Sequence, residues 1–442
     1  MNFNIYKEMT KEIPIIKEID VVVVGGGPAG VAAAVTSAEQ GMKTLIIERY
    51  GFFGGANVAG FSATIGGLYS STENGEVEQI VQGFAGRFTD LLRAKGGLIG
   101  PVKFGHTALA PHDPFIWKET ADELIKGANV EVLFHTSFVD VIMEDNKIVG
   151  VVIENKDGRS AIKGKVFIDA TGDGDVAAKA GAPYVYGKDG VIQSTTMTFR
   201  MGNVNWDKAS KYSLEDIWEK AEEADTTGKY NLPRKHPFIF PAPRKEQAIM
   251  NATSIIATDN RVLYPTKTED LTYCEFAGRE QIREYEKFVK DYIPGFENAY
   301  IIDNAPQIGI RQSRTIEGEY TLTNEDVVNA RKFDTAIARS AWPIEIHGGA
   351  DGVKVVNLDD DYYEIPFEVM LPKNVEGIMT AGRCVSCEHE ALASARVVAQ
   401  CFEEGSAAGF AAALAIKEGI MPKQVDVKKV RECMIKNGSI LY

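Results

Sequence analysis

The chain has 442 residues. At roughly 150 residues per domain this allows about three units, although α/β enzymes often fuse two into one body. With 45% hydrophobic and 25% charged residues the composition is that of a globular protein, which excludes a disordered or fibrous chain. The net charge of −14 repels phosphate backbones and anionic lipid, so neither nucleic acid nor a membrane surface is an expected partner.

Five cysteines (Cys274, Cys384, Cys387, Cys401 and Cys433) are too few, and too clustered late in the chain, for a disulfide framework. Met1 to Asp20 alternates charge with Ile and Pro and lacks the apolar core of a secretory signal. The small-apolar run Ala407 to Ile416 reaches about half of what a bilayer span needs. The expectation is a soluble protein of a reducing compartment, the cytoplasm.

The first informative segment runs from Asp20 through four valines to Gly25-Gly26-Gly27-Pro28-Ala29-Gly30, then an alanine-rich stretch, then Leu45 to Ile47 and Glu48. Four valines in a row suit a parallel strand covered on both faces. The alanines suit a helix packed closely on it, so the segment predicts a βαβ unit. Gly25-x-Gly27-x-x-Gly30 between strand and helix, with an acid ending the next strand, is the dinucleotide fingerprint. Gly25 permits the tight turn, Gly27 lets backbone N–H groups approach a pyrophosphate, and Gly30 lets helix and strand pack. The helix N-terminus favours the phosphate charge, and Glu48 accepts hydrogen bonds from ribose hydroxyls.

Further on, Pro114 to Lys126 has helical spacing with Asp113 as its N-cap. Val130 to Ala170 alternates, with turn signals at Asp145-Asn146 and Asp157-Gly158, and predicts an antiparallel meander of three or four strands. From about Tyr184 to Glu364 the chain is more polar and richer in Pro and aromatics, with helices expected near Leu214–Ala224 and Glu275–Tyr292. This reads as an inserted substrate or cap domain. A strand at Gly377 to Ala381, the turn Gly382-Arg383 and a long small-residue helix from Leu392 to Lys417 close the chain. The Ala/Gly stripe of that helix signals close packing rather than a membrane or partner face. No fixed-period repeat is present, so solenoid folds are unsupported.

Whether the dinucleotide is NAD or FAD turns on the residues after Glu48. A second glycine-rich turn, Gly51 to Ala56, would let the chain run beside an extended dinucleotide, where a nicotinamide domain would continue into further βα units. The Thr380-Ala-Gly382-Arg383 turn before a helix also suits a flavin, because the positive helix end would face the electron-rich edge of the ring.

On these segments, together with VFIDATGDGDVAAKAG, IGIRQSRTIEGEYTLTNEDV, SAWPIEIH and IMTAGRCVSCEHEALASARVVAQCFEEGSAAGFAAA, the sequence resembles the FAD-dependent oxidoreductases. The likeness is to flavoproteins of the glutathione-reductase type, distantly akin to fumarate reductase flavoproteins. It implies an α/β fold: a Rossmann-like FAD-binding domain with parallel sheet and β-meander, plus an inserted α+β cap. The implied division is 1–183 and 365–442 for the FAD domain and 184–364 for the substrate domain. The reaction implied is two-electron transfer between FAD and a small organic substrate. NAD(P)H or an electron-carrier protein would be possible partners, and the rival readings are a flavin reductase fed by either of these and a flavin subunit of an electron-transfer complex.

By the same resemblance, Gly25, Gly27, Pro28, Ala29 and Gly30 hold the pyrophosphate and Glu48 the ribose. Arg49, Gly55 and Ala56 flank the adenosine and flavin side, and Val139 gives a backbone contact to adenine. Ala170 and Gly172 pass the dinucleotide, Gly382 and Arg383 lie near the ribityl–pyrophosphate stretch, and Arg396 and Val397 near the flavin pyrimidine. No histidine lies between Arg49 and Gly105, so the FAD is expected to be non-covalent.

His389 and His347 are candidate proton carriers, each balanced by a purely structural role. Arg311 and Arg314 suggest a carboxylate clamp, with pairing to nearby acids expected for at least one. Cys384-x-x-Cys387-x-His389 reads as a redox dithiol, a metal site without a fourth ligand, or small residues packing a loop, and packing is favoured. No metal is therefore expected. Gly172-Asp173-Gly174-Asp175 imitates a second fingerprint, but its aspartates would repel phosphate. His106 and His112 are given no role.

Overall fold

The structure is a computed structural model that describes residues 12–71, 76–105, 107–348, 352–358 and 361–442. Val21, Val22, Val23 and Val24 are all buried, as a strand sandwiched on both faces requires. They end the strand Ile15–Val24, which pairs in parallel with Thr44–Ile47 on one side and Gly158–Asp169 on the other. Glu131–Leu133 adds in parallel beyond Thr44–Ile47, and Ile378–Thr380 pairs in parallel with the end of Gly158–Asp169. The first half of Gly158–Asp169 belongs instead to an antiparallel meander with Lys147–Asn155 and Ser137–Glu144. One seven-stranded sheet results.

The predicted meander thus has three strands, turning at Asp145 and Gly158, both with positive φ. Glu131–Leu133, at the start of the predicted run, joins the parallel sheet because it follows the helix Pro114–Gly127 as a βαβ crossover does. Asp113 caps that helix as expected, accepting from the N–H groups of Phe115 and Ile116.

The helix Pro28–Glu39 lies against the C-terminal helix Val398–Glu418 along a seam of small residues. A Cβ on Gly405 would sit 2.1 Å from Ala29 O, and one on Gly409 2.8 Å from Ala33 O. The single helix expected from Leu392 to Lys417 is two, His389–Ala395 and Val398–Glu418. Val397 is extended (φ −73°, ψ 160°), so the second helix starts afresh there.

The central region carries an antiparallel sheet in the order Phe238–Pro241, Ala248–Asn251, Phe199–Gly202, Tyr300–Asn304. Beside it lie the helices Leu214–Thr226 and Thr268–Tyr292, the second longer at its start than predicted. Its apolar core, Met197 to Ile310 with Phe61, is separate from the main one. Leu322, Ile337, Tyr363 and Ile365, read from sequence as part of the cap, pack into the main core with the N-terminal strands and C-terminal helices. Among the described residues no helix is long and apolar enough to cross a membrane.

Candidate functional site

Register brings Val24 level with Ile47 and Asp169, Ile47 level with Leu133, and Asp169 level with Thr380. Five parallel strands therefore end on one line, where an open α/β sheet leaves its crevice. The chain leaving four of these ends (Gly25–Gly27, Glu48–Tyr50, Ala170–Gly172 and Ala381–Arg383) lines one cavity of about 420 Å³. Thr136, Ser137 and Phe138, just beyond the fifth, join the lining.

The three fingerprint glycines do different work. Gly25 has φ +103°, and a Cβ there would lie 2.4 Å from Ala170 O. A Cβ on Gly30 would lie 1.8 Å from Gly25 O, so this residue serves helix-on-strand packing and lies outside the cavity lining. Gly27 has an ordinary φ of −73°, and an added Cβ would meet only Gly55 Cα at 3.8 Å. The protein itself does not need glycine at 27, and the space left beside the helix start suits an approaching pyrophosphate.

Glu48 accepts from Gly26 N–H at 2.6 Å and Tyr50 N–H at 2.9 Å, and burial raises its carboxyl above the ordinary value. Gly54 N–H donates back to Gly26 O at 2.8 Å, which brings Gly55, Ala56 and Asn57 over the same turn. Arg49 donates to Gln307 Oε1 at 2.6 Å. On the far wall Arg383 bridges Asp173, at 2.9 Å, and Ser313 Oγ, at 2.6 Å. Gly382 N–H donates to the buried Glu404 at 2.7 Å, and desolvation pushes that carboxyl up to about 8. The helix break turns Arg396, Val397 and Val398 into the cavity, so the N-terminus of a 21-residue helix opens on it.

Beyond this wall the lining becomes apolar, with Phe61, Ala63, Phe240, Ile249 and Trp342, and then cationic. Arg311 is 8% exposed and donates to Ser194 O at 3.0 Å and Asn251 Oδ1 at 3.2 Å. Arg234, 4% exposed, donates to the same Asn251 Oδ1 at 2.9 Å and faces His347 Nδ1 with Nη2 at 3.5 Å. Since guanidinium only donates, Nδ1 accepts and the imidazole carries its proton on Nε2. Burial and the charges of Arg311, Arg234 and Arg396 hold His347 well below its ordinary pKa. Glu345 lies in the same lining and accepts from Trp342 Nε1 at 3.3 Å.

Of the residues named from sequence, Gly25, Gly27, Pro28, Ala29, Glu48, Arg49, Gly55, Ala56, Ala170, Gly172, Gly382, Arg383, Arg396, Val397, Arg311 and His347 share this cavity. Val139 lies just past the lining, at the bulge between the pairs Phe138↔Ile153 and Asp140↔Val152. His389 is outside the lining. It opens the helix His389–Ala395, and its Nδ1 would lie 3.1 Å from a Cβ on Gly187. Arg314 is outside the lining and pairs with Asp175, at its edge, at 2.7 Å.

The turn Gly172 to Asp175, the imitation of a second fingerprint, is closed by the chain's own carboxylate. Asp169 accepts from Val176 N–H and Ala177 N–H at 2.8 and 2.9 Å, where a phosphate would otherwise bind. Cys384 and Cys387 are buried outside the cavity with thiols pushed up by desolvation, which makes them poor nucleophiles. Among the described residues no cluster of His, Cys, Asp and Glu has metal-holding geometry. His112 is buried against the Trp117 ring and pulled down to about 4, and His106 lies outside the described residues. Arg234, Asn251 and Glu345 were not singled out from sequence. Arg234 sits in Pro-Arg-Lys-His-Pro, which looks like any solvated charged loop.

Comparison with known proteins adds to this geometry. The model of the family described as FAD dependent oxidoreductase matches residues 20–434. The chain is 32% identical to a thiamine thiazole synthase of Methanococcus aeolicus over 172 residues, covering 36% of this chain and 57% of that protein. It is 30% identical to digeranylgeranylglycerophospholipid reductase 2 of Methanopyrus kandleri over 162 residues, covering 35% of this chain and 38% of that protein. The chain spans about half the length of the thiamine thiazole synthases it matches. Among solved structures it is similar to a geranylgeranyl bacteriochlorophyll reductase-like protein of Thermoplasma acidophilum, with a TM-score of 0.48 and 15% identity. That match covers 95% of this chain and 84% of the other.

Proposed function

The chain belongs to the FAD-dependent oxidoreductase family, and from that premise we propose that it moves an electron pair, as hydride, between non-covalent FAD and a small organic substrate. The observation that carries this reading is the continuity of the cavity. One lining runs from the Gly25–Gly27 turn past Gly55 and Arg383 to Trp342, His347 and Arg311.

FAD supplies the two-electron chemistry, and the chain supplies binding, orientation and surroundings. Gly25, Gly27, Pro28 and Ala29 hold the pyrophosphate at the helix start, and Glu48 the ribose. Val139, left out of the ladder by its bulge, offers backbone to adenine. Ala170, Gly172, Gly382 and Arg383 follow the ribityl–pyrophosphate stretch, and Arg396 and Val397 meet the pyrimidine. Phe61, Phe240, Ile249 and Trp342 keep water from the reacting face and align the substrate on it. His347, neutral with its proton on Nε2, orients the substrate by donating a hydrogen bond rather than by carrying a proton. The lack of histidine between Arg49 and Gly105 supports non-covalent FAD. The five level strand ends and the three-stranded meander support the glutathione-reductase-type class.

The Asp169-capped turn Gly172 to Asp175 is closed to a second dinucleotide among the described residues, which favours substrates that themselves exchange electrons with FAD. The test is the visible spectrum of the FAD-loaded protein during anaerobic addition of NADH, NADPH and a panel of oxidisable organic acids and alcohols. Bleaching by an organic donor is expected. Prompt bleaching by NADH or NADPH would instead favour a nicotinamide-fed reductase. A flavin that no donor reduces, and that after chemical reduction passes electrons to no organic acceptor, would overturn the proposal.

A further inference from the structure

We propose that the arginine-lined end of this cavity is a carboxylate-binding site, with Arg311 as its principal contact, and that the substrate is therefore a small carboxylic acid. The proposal rests on the flavoenzyme reading for the reaction, while the charge argument stands on the side chains alone.

Three guanidiniums meet here: Arg311 and Arg396 line the cavity with His347, and Arg234 stands outside the lining, against Asn251 and His347. Among the described residues Glu345 is the one carboxylate whose charge acts on any of the three. Arg234 and Arg311 are held side by side by a single neutral acceptor, Asn251 Oδ1. Two like charges in a poorly solvated place repel unless something anionic lies between or beside them. Burial pulls Arg234 down to about 10, burial and the charge of Arg383 pull Arg396 down to about 10, and burial together with the charges of Arg234 and Arg396 holds Arg311 well below its ordinary value.

Hydrogen-bond bookkeeping points the same way. Two N–H groups of Arg311 are bonded to the chain among the described residues, and the other three of its five are not. Arg396 Nε is buried without a partner, and so are Gln193 Nε2 and Gln312 Nε2. Gln193 adjoins the cluster, accepting from Arg396 Nη2 at 3.1 Å and from His347 N–H at 3.4 Å, and Gln312 accepts from Gln193 N–H at 3.2 Å. Of these groups it is Arg311 that lines the cavity with N–H groups left open, and they are donors, so a ligand held there is an acceptor. Arg311 and His347 face the cavity just past Trp342, Phe240 and Ile249, so an acid held there places its carbon skeleton along the apolar wall. The planar fork of guanidinium matches a carboxylate in two-point contact.

The test uses the oxidised, FAD-loaded protein titrated with acetate, succinate, inorganic phosphate and chloride, read by the shift of the flavin bands. The proposal predicts saturable shifts with the carboxylates, and a dissociation constant raised at least about tenfold in Arg311→Met with its FAD content unchanged. Asn251→Asp retains every arginine and sets a carboxylate between two of them. It should weaken acetate and succinate by a similar factor, and its near-identical shape keeps the fold. Tighter binding of phosphate than of either carboxylate, equal shifts from all four probes, or unchanged affinity in both variants would overturn the proposal. Loss of FAD from the wild-type protein would instead count against the flavoenzyme reading.

Discussion

Adding a methyl group at Gly30 would set it 1.8 Å from Gly25 O, whereas at Gly27 it would meet nothing closer than 3.8 Å. Gly30→Ala should therefore damage the fold itself. Gly27→Ala should shift the melting temperature of FAD-free protein by no more than about 2 °C while abolishing FAD binding. Thermal melts beside FAD titrations separate the two effects, and equal loss of stability in both variants would refute this division of roles. At Glu48, substitution by Ala strips the acceptor from Gly26 N–H and Tyr50 N–H. Each buried donor left unmet costs on the order of 1–3 kcal/mol. The flavin-to-protein absorbance ratio of Glu48→Ala should fall well below that of the wild type, with Glu48→Gln between them.

At the scale of elements, the C-terminal helix Val398–Glu418 bears on both fold and site. Its buried Glu404 is raised from 4.5 to about 8 by desolvation. Between those values the folded chain holds a proton that the unfolded chain has released, so this group's contribution to stability is lost as pH rises through the window. One group gives a slope of about 1.4 kcal/mol per pH unit. Glu404→Gln keeps an acceptor for Gly382 N–H, so urea unfolding between pH 5 and 7 should show the variant gaining on the wild type by about that slope. A constant difference would contradict the assignment. On the seam of the same helix, Gly405→Val would drive its side chain into Ala29 O, which lies 2.1 Å from even a Cβ. It should destabilise by a few kcal/mol, read as a lowered melting temperature.

For the whole molecule, the glycine-turn side of the cavity was legible because its signals are local. A buried strand, a glycine turn and an acid at the next strand end lie within 30 residues, and their spacing fixes their geometry. The helix break at Arg396-Val397 was not legible, since Ala, Leu and Ser continue the helical composition up to it. At the break Arg396 donates to Gln193 Oε1 at 3.1 Å, a contact with a distant segment that local composition does not announce. His389 is close to the Gly382-Arg383 turn in sequence, yet at the start of its short helix it lies outside the cavity lining. The cationic end was hardest to see, because Arg234, Asn251, Arg311, His347 and Arg396 come from five distant segments. Asn251, Arg311, His347 and Arg396 come together only in the cavity lining, and Arg234 joins them through Asn251 and His347.

The central claim is that this one cavity holds FAD, without a covalent link, for electron-pair transfer. Its most direct test is the visible spectrum of the purified or FAD-reconstituted protein, followed by acid precipitation. The account predicts oxidised-flavin bands at one FAD per chain, with all of the flavin released into the supernatant. A colourless protein that cannot be reconstituted, or flavin that stays with the precipitate, would contradict it.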